Sequence, residues 1–396
     1  LLSYYKIAYT VAKVSLNLAY NIVIDQKHLK KLDQLPKDVV QVYIMNHRSN
    51  ADFVLAGFML SRSICISFAV GEWARVWPLE TLFKSFGSYF VRRGYRVPLY
   101  HKVLERYLAF ITKKGLNQGI FIEGGLSRDG KLRPPKIGLL DYIIRASQEK
   151  DFSYKDILFI PVGINFDWVL EDRNLLAEKQ GKKRRGFFWK MVSLCRFLVF
   201  FPPILVLNFF RFVMGRMKKF GYASVAFGKP LSLKEYLEKD DFRKLEGEAR
   251  KEPLKRFGQY LLEEIGKVIP ITPVCITAKA FLDFESSSVE KKALVQKIKK
   301  LRHHYRDKGH PLVMGEEFQW YQEQKAGLQE AKEYRREELF MVEEELVEDE
   351  GAEKTLQLAM DILGSRKILY LKKGMIHLNP KEKEVLEYYA NALAHL

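Results

Sequence analysis

Between residues 39 and 230, short apolar runs alternate with longer stretches whose apolar positions recur every three or four residues. The short runs read as strands over Val39–Met45, Ile64–Val70, Ser88–Arg92, Gly119–Glu123, Ile157–Asn165 and Tyr222–Phe227. The spacing predicts helices over Ala51–Leu60, Val97–Lys114 and Ile137–Ser147. This alternation predicts an α/β fold, a sheet with both faces covered by helices. In such sheets ligands bind beyond the carboxyl ends of strands. His47 and Glu123 both stand at that end, so they are expected to face one pocket.

Outside this core the pattern changes three times. Leu1–Ile24 is apolar and aromatic, broken by Lys6 and Lys13 and without an acid. Residues 1–30 are therefore expected to hold an N-terminal apolar helix, either lying on a membrane face or opening the core. Phe187–Met214 interrupts the alternation behind the basic block Lys182, Lys183, Arg184 and Arg185. Its uncharged core, Phe197–Phe210, is 14 residues long and broken by Pro202-Pro203, whereas a spanning helix needs roughly 20. Residues near 182–219 thus read as a membrane-associating insertion in an α/β domain of residues 31–233, with a buried helical hairpin as the alternative. Residues 234–396 are expected to be mostly helical, with Leu233–Val268 and Glu290–Lys308 as helices. Lys367–Leu378 reads as a short hairpin around a Lys-Gly turn, similar to the wing of a winged helix.

The chain has 396 residues, 47% hydrophobic and 13% aromatic, enough for a packed interior and unlike a disordered chain. A net charge of +18 calls for acidic partners: anionic lipid, a phosphorylated substrate, an acidic carrier protein or nucleic acid. Cys65, Cys195 and Cys275 are far apart, show neither zinc nor disulfide spacing, and read as buried apolar residues. His303, His304 and His310 lack acidic or cysteine companions at ligand spacing and are not expected to bind metal.

The chemistry concentrates in four blocks. The first, N-H-R-S-N-A-D over 46–52, follows an apolar strand and opens a helix. Asp52 can fold back onto the ring of His47, fix its tautomer and leave the other nitrogen to accept a proton. The second, G-S-Y-F-V-R-R, ends a strand in Arg92 and Arg93, a pair suited to phosphate or to plain solvation. The third, F-I-E-G-G-L-S-R-D-G, offers Glu123 for a polyol hydroxyl or an arginine, Gly124 for close backbone approach, and Ser127 and Arg128 for an anion. The fourth, I-P-V-G-I-N-F-D, carries Pro161, which either shapes a pocket wall or marks a strand edge.

In this order and spacing the blocks resemble the glycerolipid acyltransferase superfamily. Its pattern is His-x4-Asp, Gly-x-x-Phe-x-Arg-Arg, Glu-Gly-x-Arg-Ser-Arg and then a proline-bearing strand. V-A-F-G-K-P-L-S-L over Val225–Leu233 looks like the family's closing strand, and L-E-Y-Y-A-N-A-L-A-H-L over Leu386–Leu396 is similar to the end of the long bacterial glycerol-3-phosphate acyltransferases. One departure stands out: Leu126 occupies the place of an arginine implicated in binding the acceptor phosphate, leaving that work to Arg92, Arg93, Arg128 and Lys136.

The resemblance implies a glycerolipid acyltransferase-type sheet flanked by helices and a reaction with no metal and no cofactor. His47 would be general base and Asp52 its orienter; Arg92, Arg93, Glu123, Gly124, Ser127, Arg128 and Pro161 would form the substrate site. The donor would be acyl-CoA or acyl carrier protein, and the acceptor glycerol 3-phosphate, with lysophosphatidate or dihydroxyacetone phosphate as alternatives. An anionic membrane surface is the expected partner, at the cytoplasmic face of a bacterial inner membrane, with the protein peripheral or monotopic. A non-catalytic basic membrane or nucleic-acid binding protein is the contrasting class; it predicts that His47 and Asp52 are dispensable and that binding falls steeply with salt. Basic and stacking-aromatic interleaving of the RNA-sheet kind is absent, so nucleic acid is not expected. A serine hydrolase is not expected either, because the chain has no Gly-x-Ser-x-Gly elbow.

Overall fold

The computed structural model describes residues 16, 18–24, 32, 34–52, 55, 66–71, 80, 84, 88–92, 94, 95, 97–181, 219–313, 319, 320 and 344–396. Its strands are β1 (Asn21–Ile24), β2 (Val39–Met45), β3 (Ile66–Gly71), β4 (Tyr89–Val91), β5 (Asn117–Phe121), β6 (Asp156–Phe166), β7 (Tyr222–Phe227), β8 (Leu231–Ser232), β9 (Ser288–Glu290), β10 (Gln319–Trp320), β11 (Leu369–Lys372) and β12 (Met375–Leu378). The main sheet runs in the order β10-β1-β7-β6-β2-β5-β3-β4. β6, β2, β5, β3 and β4 are parallel, while β7 and β8 pair antiparallel with β6. β9, β12 and β11 form a separate small sheet.

The helices are α1 (Pro98–Lys113), α2 (Gly138–Ala146), α3 (Asp172–Lys179), α4 (Leu233–Lys239), α5 (Gly247–Val268), α6 (Pro273–Leu282), α7 (Lys291–Asp307), α8 (Glu344–Ser365) and α9 (Lys383–Ala390). β2 shows why the sheet needs helices on both faces. Val40, Val42 and Ile44 pack with Leu108 of α1, Ile143 of α2 and Phe257 of α5. Tyr43 and Met45 pack into a second core with Ala278 of α6, Leu356 of α8 and Tyr389 of α9. A strand buried on both faces reads as a nearly continuous apolar run, and V-V-Q-V-Y-I-M is one. The C-terminal helices therefore form the second layer of the sheet.

The expectation of an apolar helix over residues 1–30 differs from the structure at its end, where Asn21–Ile24 is a strand parallel to Tyr222–Val225 of β7. Three β-branched residues in a row, Ile22, Val23 and Ile24, favour that pleated, buried setting. The hairpin expected near Lys367–Leu378 is present, with Lys373 and Gly374 both at positive φ, as a two-residue turn of this hand requires. β12 also pairs with β9, so the hairpin belongs to a three-stranded sheet. Cys275 is buried near the start of α6, and burial pushes its thiol up to about 11. Cys65, Cys195 and the insertion expected near 182–219 lie outside the described residues, apart from residue 219 itself. Among the described residues no helix is long and apolar enough to cross a membrane.

Candidate active site

The site begins where β2 stops. Asn46 follows Met45, and its side chain imitates one more step of the ladder: Nδ2 donates to the Ile164 carbonyl at 2.9 Å, and Oδ1 accepts from the Ile164 N–H at 2.8 Å. The strand is thereby closed off at its carboxyl end and the chain turns. His47 comes next, its ring stacked on Phe121 at 4.2 Å. Its Nδ1 lies 2.9 Å from Asp52 Oδ2. That same oxygen accepts the backbone N–H groups of Arg48 at 2.7 Å and Ser49 at 3.0 Å. Three hydrogen bonds to one oxygen fix the carboxylate, and the carboxylate fixes the ring. His47 is 2% exposed and Asp52 fully buried.

Glu123 braces this turn from the neighbouring strand. Oε1 accepts the His47 N–H and Oε2 the Arg133 N–H, each at 2.8 Å. Burial raises its pKa from 4.5 to about 7, although those two N–H groups and the nearby Arg48 and Arg133 charges pull the other way. The loop after Glu123 then crosses back. Gly124 sits at φ +62, and a Cβ there would stand 2.7 Å from Lys136 Cγ, so glycine is required twice over. Ser127 N–H donates to the His47 carbonyl at 2.9 Å, while its hydroxyl donates to the Lys131 carbonyl at 2.7 Å. His47 is therefore held at its ring, its N–H and its carbonyl.

A third support comes from the end of β6. Glu171 accepts from Ser49 Oγ at 2.9 Å and Asn50 Nδ2 at 3.0 Å. Asp172 points the other way, to Tyr389 Oη and Arg366 Nη2, both at 2.6 Å. The Arg48 guanidinium donates to the Gly130 carbonyl at 3.1 Å and lies 5.3 Å from the ring centre of Tyr388. Asn391 Nδ2 donates to the Asp129 carbonyl at 2.9 Å. Thus α9 backs both the first and the third block. Among the described residues Arg48 Nε and Nη2 and Asp52 Oδ1 have no hydrogen-bond partner.

Of the residues singled out in the sequence, His47, Asp52, Glu123 and Ser127 come together in this one cluster. Pro161 lies in β6 opposite Ile44, in the sheet beside the cluster, with its carbonyl accepting the Gly228 N–H. Arg128 is about half exposed, 3.6 Å from Glu178 of α3. Arg92 stands at the same end of the sheet, exposed, over the Tyr95 ring at 5.2 Å. The strand order sets it three strands from His47, roughly 14 Å at about 4.8 Å per strand. Arg93 lies outside the described residues. Leu126, at the position of the missing arginine, is partly buried against the apolar core. Sequence reasoning passed over Asn46, Arg48 and Glu171 as structural parts; the first two sit inside the block it quoted. Among the described residues no group of three potential ligands could hold a metal ion.

Two family descriptions match the chain. One, acyltransferase, covers residues 27–165; the other, glycerol-3-phosphate acyltransferase C-terminal region, covers residues 206–396. A curated glycerol-3-phosphate acyltransferase of Pseudomonas fluorescens is 27% identical over 282 residues, which is 68% of this chain and 31% of that protein. One from Ectopseudomonas mendocina is 29% identical over 279 residues, 66% of this chain and 31% of that protein. The chain thus spans about a third of the length of the curated relatives it matches. A crystal structure of the 1-acyl-sn-glycerophosphate acyltransferase from Thermotoga maritima aligns with a TM-score of 0.36 and 17% identity, covering 65% of this chain and 79% of that one.

Proposed function

Since the chain belongs to the glycerolipid acyltransferase superfamily, we propose that it transfers a fatty acyl group from a thioester to a hydroxyl of glycerol 3-phosphate, yielding lysophosphatidate. The observation that carries this reading is the buried His47–Asp52 pair at 2.9 Å, held at the carboxyl end of β2. An alcohol is almost wholly protonated at neutral pH, so its attack on a carbonyl needs a base in reach, a contribution of roughly 10²–10⁴ in rate. With Nδ1 tied to Asp52, Nε2 is the ring nitrogen that takes the hydroxyl proton. The acceptor oxygen bonds to the acyl carbon, the carbon–sulfur bond breaks, and the thiolate leaves with that proton returned to it. Asp52 stabilises the imidazolium in between.

Direct attack needs no acyl-enzyme, and Ser127 is engaged elsewhere, with the Lys131 carbonyl. Arg92, Arg93 and Arg128 remain the cations assigned to the acceptor phosphate. The donor is acyl-CoA or acyl carrier protein; both are acidic and suit a chain of +18 charge. A lipid product argues for a peripheral or monotopic place on an anionic membrane, at the cytoplasmic face of a bacterial inner membrane.

The test is thiol release from palmitoyl-CoA by detergent-solubilised protein, with glycerol 3-phosphate, lysophosphatidate or dihydroxyacetone phosphate added separately. Release stimulated by glycerol 3-phosphate alone, and reduced at least a hundredfold in His47→Ala, is expected. Stimulation by another acceptor moves the substrate assignment and keeps the base. Near-wild-type turnover in a folded His47→Ala protein would sink the mechanism. Silence with all three acceptors, repeated with acyl carrier protein as donor, would make the non-catalytic binding protein the better reading.

A further inference from the structure

Exposed apolar side chains are concentrated on one helix. Of the twelve large ones among the described residues, seven fall between Tyr95 and Leu116. On α1, Leu99 is 72% exposed, Val103 60% and Phe110 57%. Steps of four and seven residues stack these three on one face of a helix. The opposite face carries Leu104, Leu108 and Ile111 into the core. α1 is therefore apolar on two sides, and among the described residues only one is covered. Contiguous exposed apolar patches on this scale mark interaction surfaces.

The border of the stripe is basic. Lys102 and Arg106 follow the same four-residue step along its flank and continue to Lys113, while Lys114 Nζ lies 5.9 Å from the Phe110 ring centre. Lys102 and Arg106 reach Glu105 and Glu149, and Lys113 reaches Glu149 and Asp151. Pairs made by exposed cations contribute little in water, so Lys102 and Arg106, both more than 60% exposed, keep most of their attraction for another anionic surface. Long basic side chains lay their hydrocarbon stems along apolar surface and keep their charged heads in the polar layer. An apolar stripe bordered by lysine and arginine is what lies in the interface of an anionic bilayer. The Arg92 N–H donates to Tyr100 Oη at 2.8 Å. This ties the start of α1, with Tyr95, Val97 and Leu99, to the carboxyl-end rim of the sheet where His47 stands.

We propose that α1 is a membrane-contact helix lying in the plane of an anionic bilayer surface. Leu99, Val103 and Phe110 enter the acyl boundary, and Lys102, Arg106 and Lys114 meet lipid phosphates. This deepens the membrane reading given above and rests on it. It also gives that reading a geometry: the rim of the site meets the lipid, so a long acyl chain passes between site and bilayer without crossing water.

The test is flotation of the full chain with vesicles of phosphatidylglycerol and phosphatidylcholine, without substrates, so that it reads binding and not turnover. In the triple variant Leu99→Asp, Val103→Asp, Phe110→Asp the partition coefficient is expected to fall at least tenfold. The thermal unfolding midpoint and thiol release from a short-chain, water-soluble acyl-CoA should stay unchanged. Lys102→Glu with Arg106→Glu should weaken binding severalfold on anionic vesicles and little on neutral ones. Should the triple variant misfold, Leu99→Asp alone is expected to cost severalfold. Equal binding by wild type and folded variants, or no binding by wild type, overturns the proposal. So does a wild-type dimer that the triple variant turns into monomer with vesicle binding intact, because the stripe would then pair with a second copy. Loss of vesicle binding in the variant beside a wild type that never acylates any acceptor would leave this contact standing and remove the acyl-transfer reading.

Discussion

Arg250 and Arg366 are buried on opposite faces of the central sheet, each against one aspartate. Arg250 Nε lies 2.6 Å from Asp141, its Nη1 donates to the Phe242 and Arg243 carbonyls, and its guanidinium covers the Phe242 ring. It clamps α5 and the turn before it onto α2. Arg366 Nη2 lies 2.6 Å from Asp172, its Nη1 donates to Tyr389 Oη at 2.7 Å, and its plane covers the Trp168 ring at 4.7 Å. The chemistry is alike, a shielded guanidinium against a carboxylate and aromatic rings, Phe242 for Arg250 and Trp168 with Tyr389 for Arg366. The surroundings differ. Asp141 stands on α2 and is shared between Arg250 and Arg145, whereas Asp172 is joined by one peptide bond to Glu171, which grips Ser49 and Asn50. One arginine holds the scaffold; the other also holds the loop that presents His47.

The sharpest way to break this distinction is to remove each arginine. Arg366→Ala should cost about 3–5 kcal/mol, because it breaks the buried pair with Asp172; Arg250→Ala should cost less, because Asp141 is partly exposed and keeps Arg145 Nε at 2.8 Å. Denaturant melts would check that. The two should then part company in turnover per folded molecule. Arg250→Ala is expected to leave kcat unchanged, and Arg366→Ala to lower it at least tenfold at similar KM for the acceptor. Arg366→Met with Asp172→Leu, an apolar replacement of both partners, should recover much of the stability and little of the kcat. Full recovery of both would reduce Asp172 to a packing residue and erase the contrast.

That contrast also explains what could be read from the sequence. β2 and β7 were legible to the residue because both are apolar runs with clear ends. α1 and α2 were legible to within a residue from their spacing. His47 and Asp52 were legible because they lie five residues apart, within one turn. Arg366 and Tyr389 were not, since the partners of Asp172 lie about two hundred residues away in sequence and no periodicity marks them. Glu123 was legible as a position and not as a contact: backbone N–H groups bind it, and these have no sequence signature. Asn21–Ile24 reads as helix only because the long apolar stretch before it sets the context.

A smaller effect separates buried carboxylates held chiefly by backbone N–H groups from those held by arginine. Burial raises Glu123 from 4.5 to about 7 and Asp167 from 3.8 to about 6. Asp167 accepts the Val274 and Tyr222 N–H groups, each at 2.9 Å. In both cases the folded chain holds its proton more tightly than the unfolded one. Stability from these groups is fully present below the unfolded pKa and is lost as pH rises through the folded value. Each is worth about 3 kcal/mol across its window. Denaturant midpoints between about pH 5 and pH 7.5 should therefore fall with rising pH. In Glu123→Gln the slope should flatten near its upper end and keep the part owed to Asp167. Parallel curves for the two proteins would show that Glu123 is ionised throughout, held by Arg48 and Arg133 more strongly than burial opposes it.

The smallest expected effect tests whether α9 supports the site through rings or through hydroxyls. Tyr388 and Tyr389 are adjacent and both buried. Tyr389 Oη donates to Asp172 at 2.6 Å and accepts from Arg366 Nη1 at 2.7 Å and from the Val169 N–H at 3.1 Å. Tyr388 Oη has no hydrogen-bond partner among the described residues, and its ring is what the Arg48 guanidinium covers. A hydroxyl without a partner contributes nothing that phenylalanine lacks, and burying it costs free energy. Tyr388→Phe should thus change stability by less than about 0.5 kcal/mol, on the stabilising side, with kcat intact. Tyr389→Phe should cost about 1–3 kcal/mol, since it leaves Asp172 and Arg366 each short of a partner. Tyr388→Leu removes the ring under Arg48 and should lower kcat where Tyr388→Phe does not. If Tyr388→Phe proves the more damaging of the two phenylalanine variants, the Tyr388 hydroxyl meets a ligand or a water during the reaction. The support that α9 gives to the His47 loop would then run through that hydroxyl instead of the Asp172–Arg366 pair.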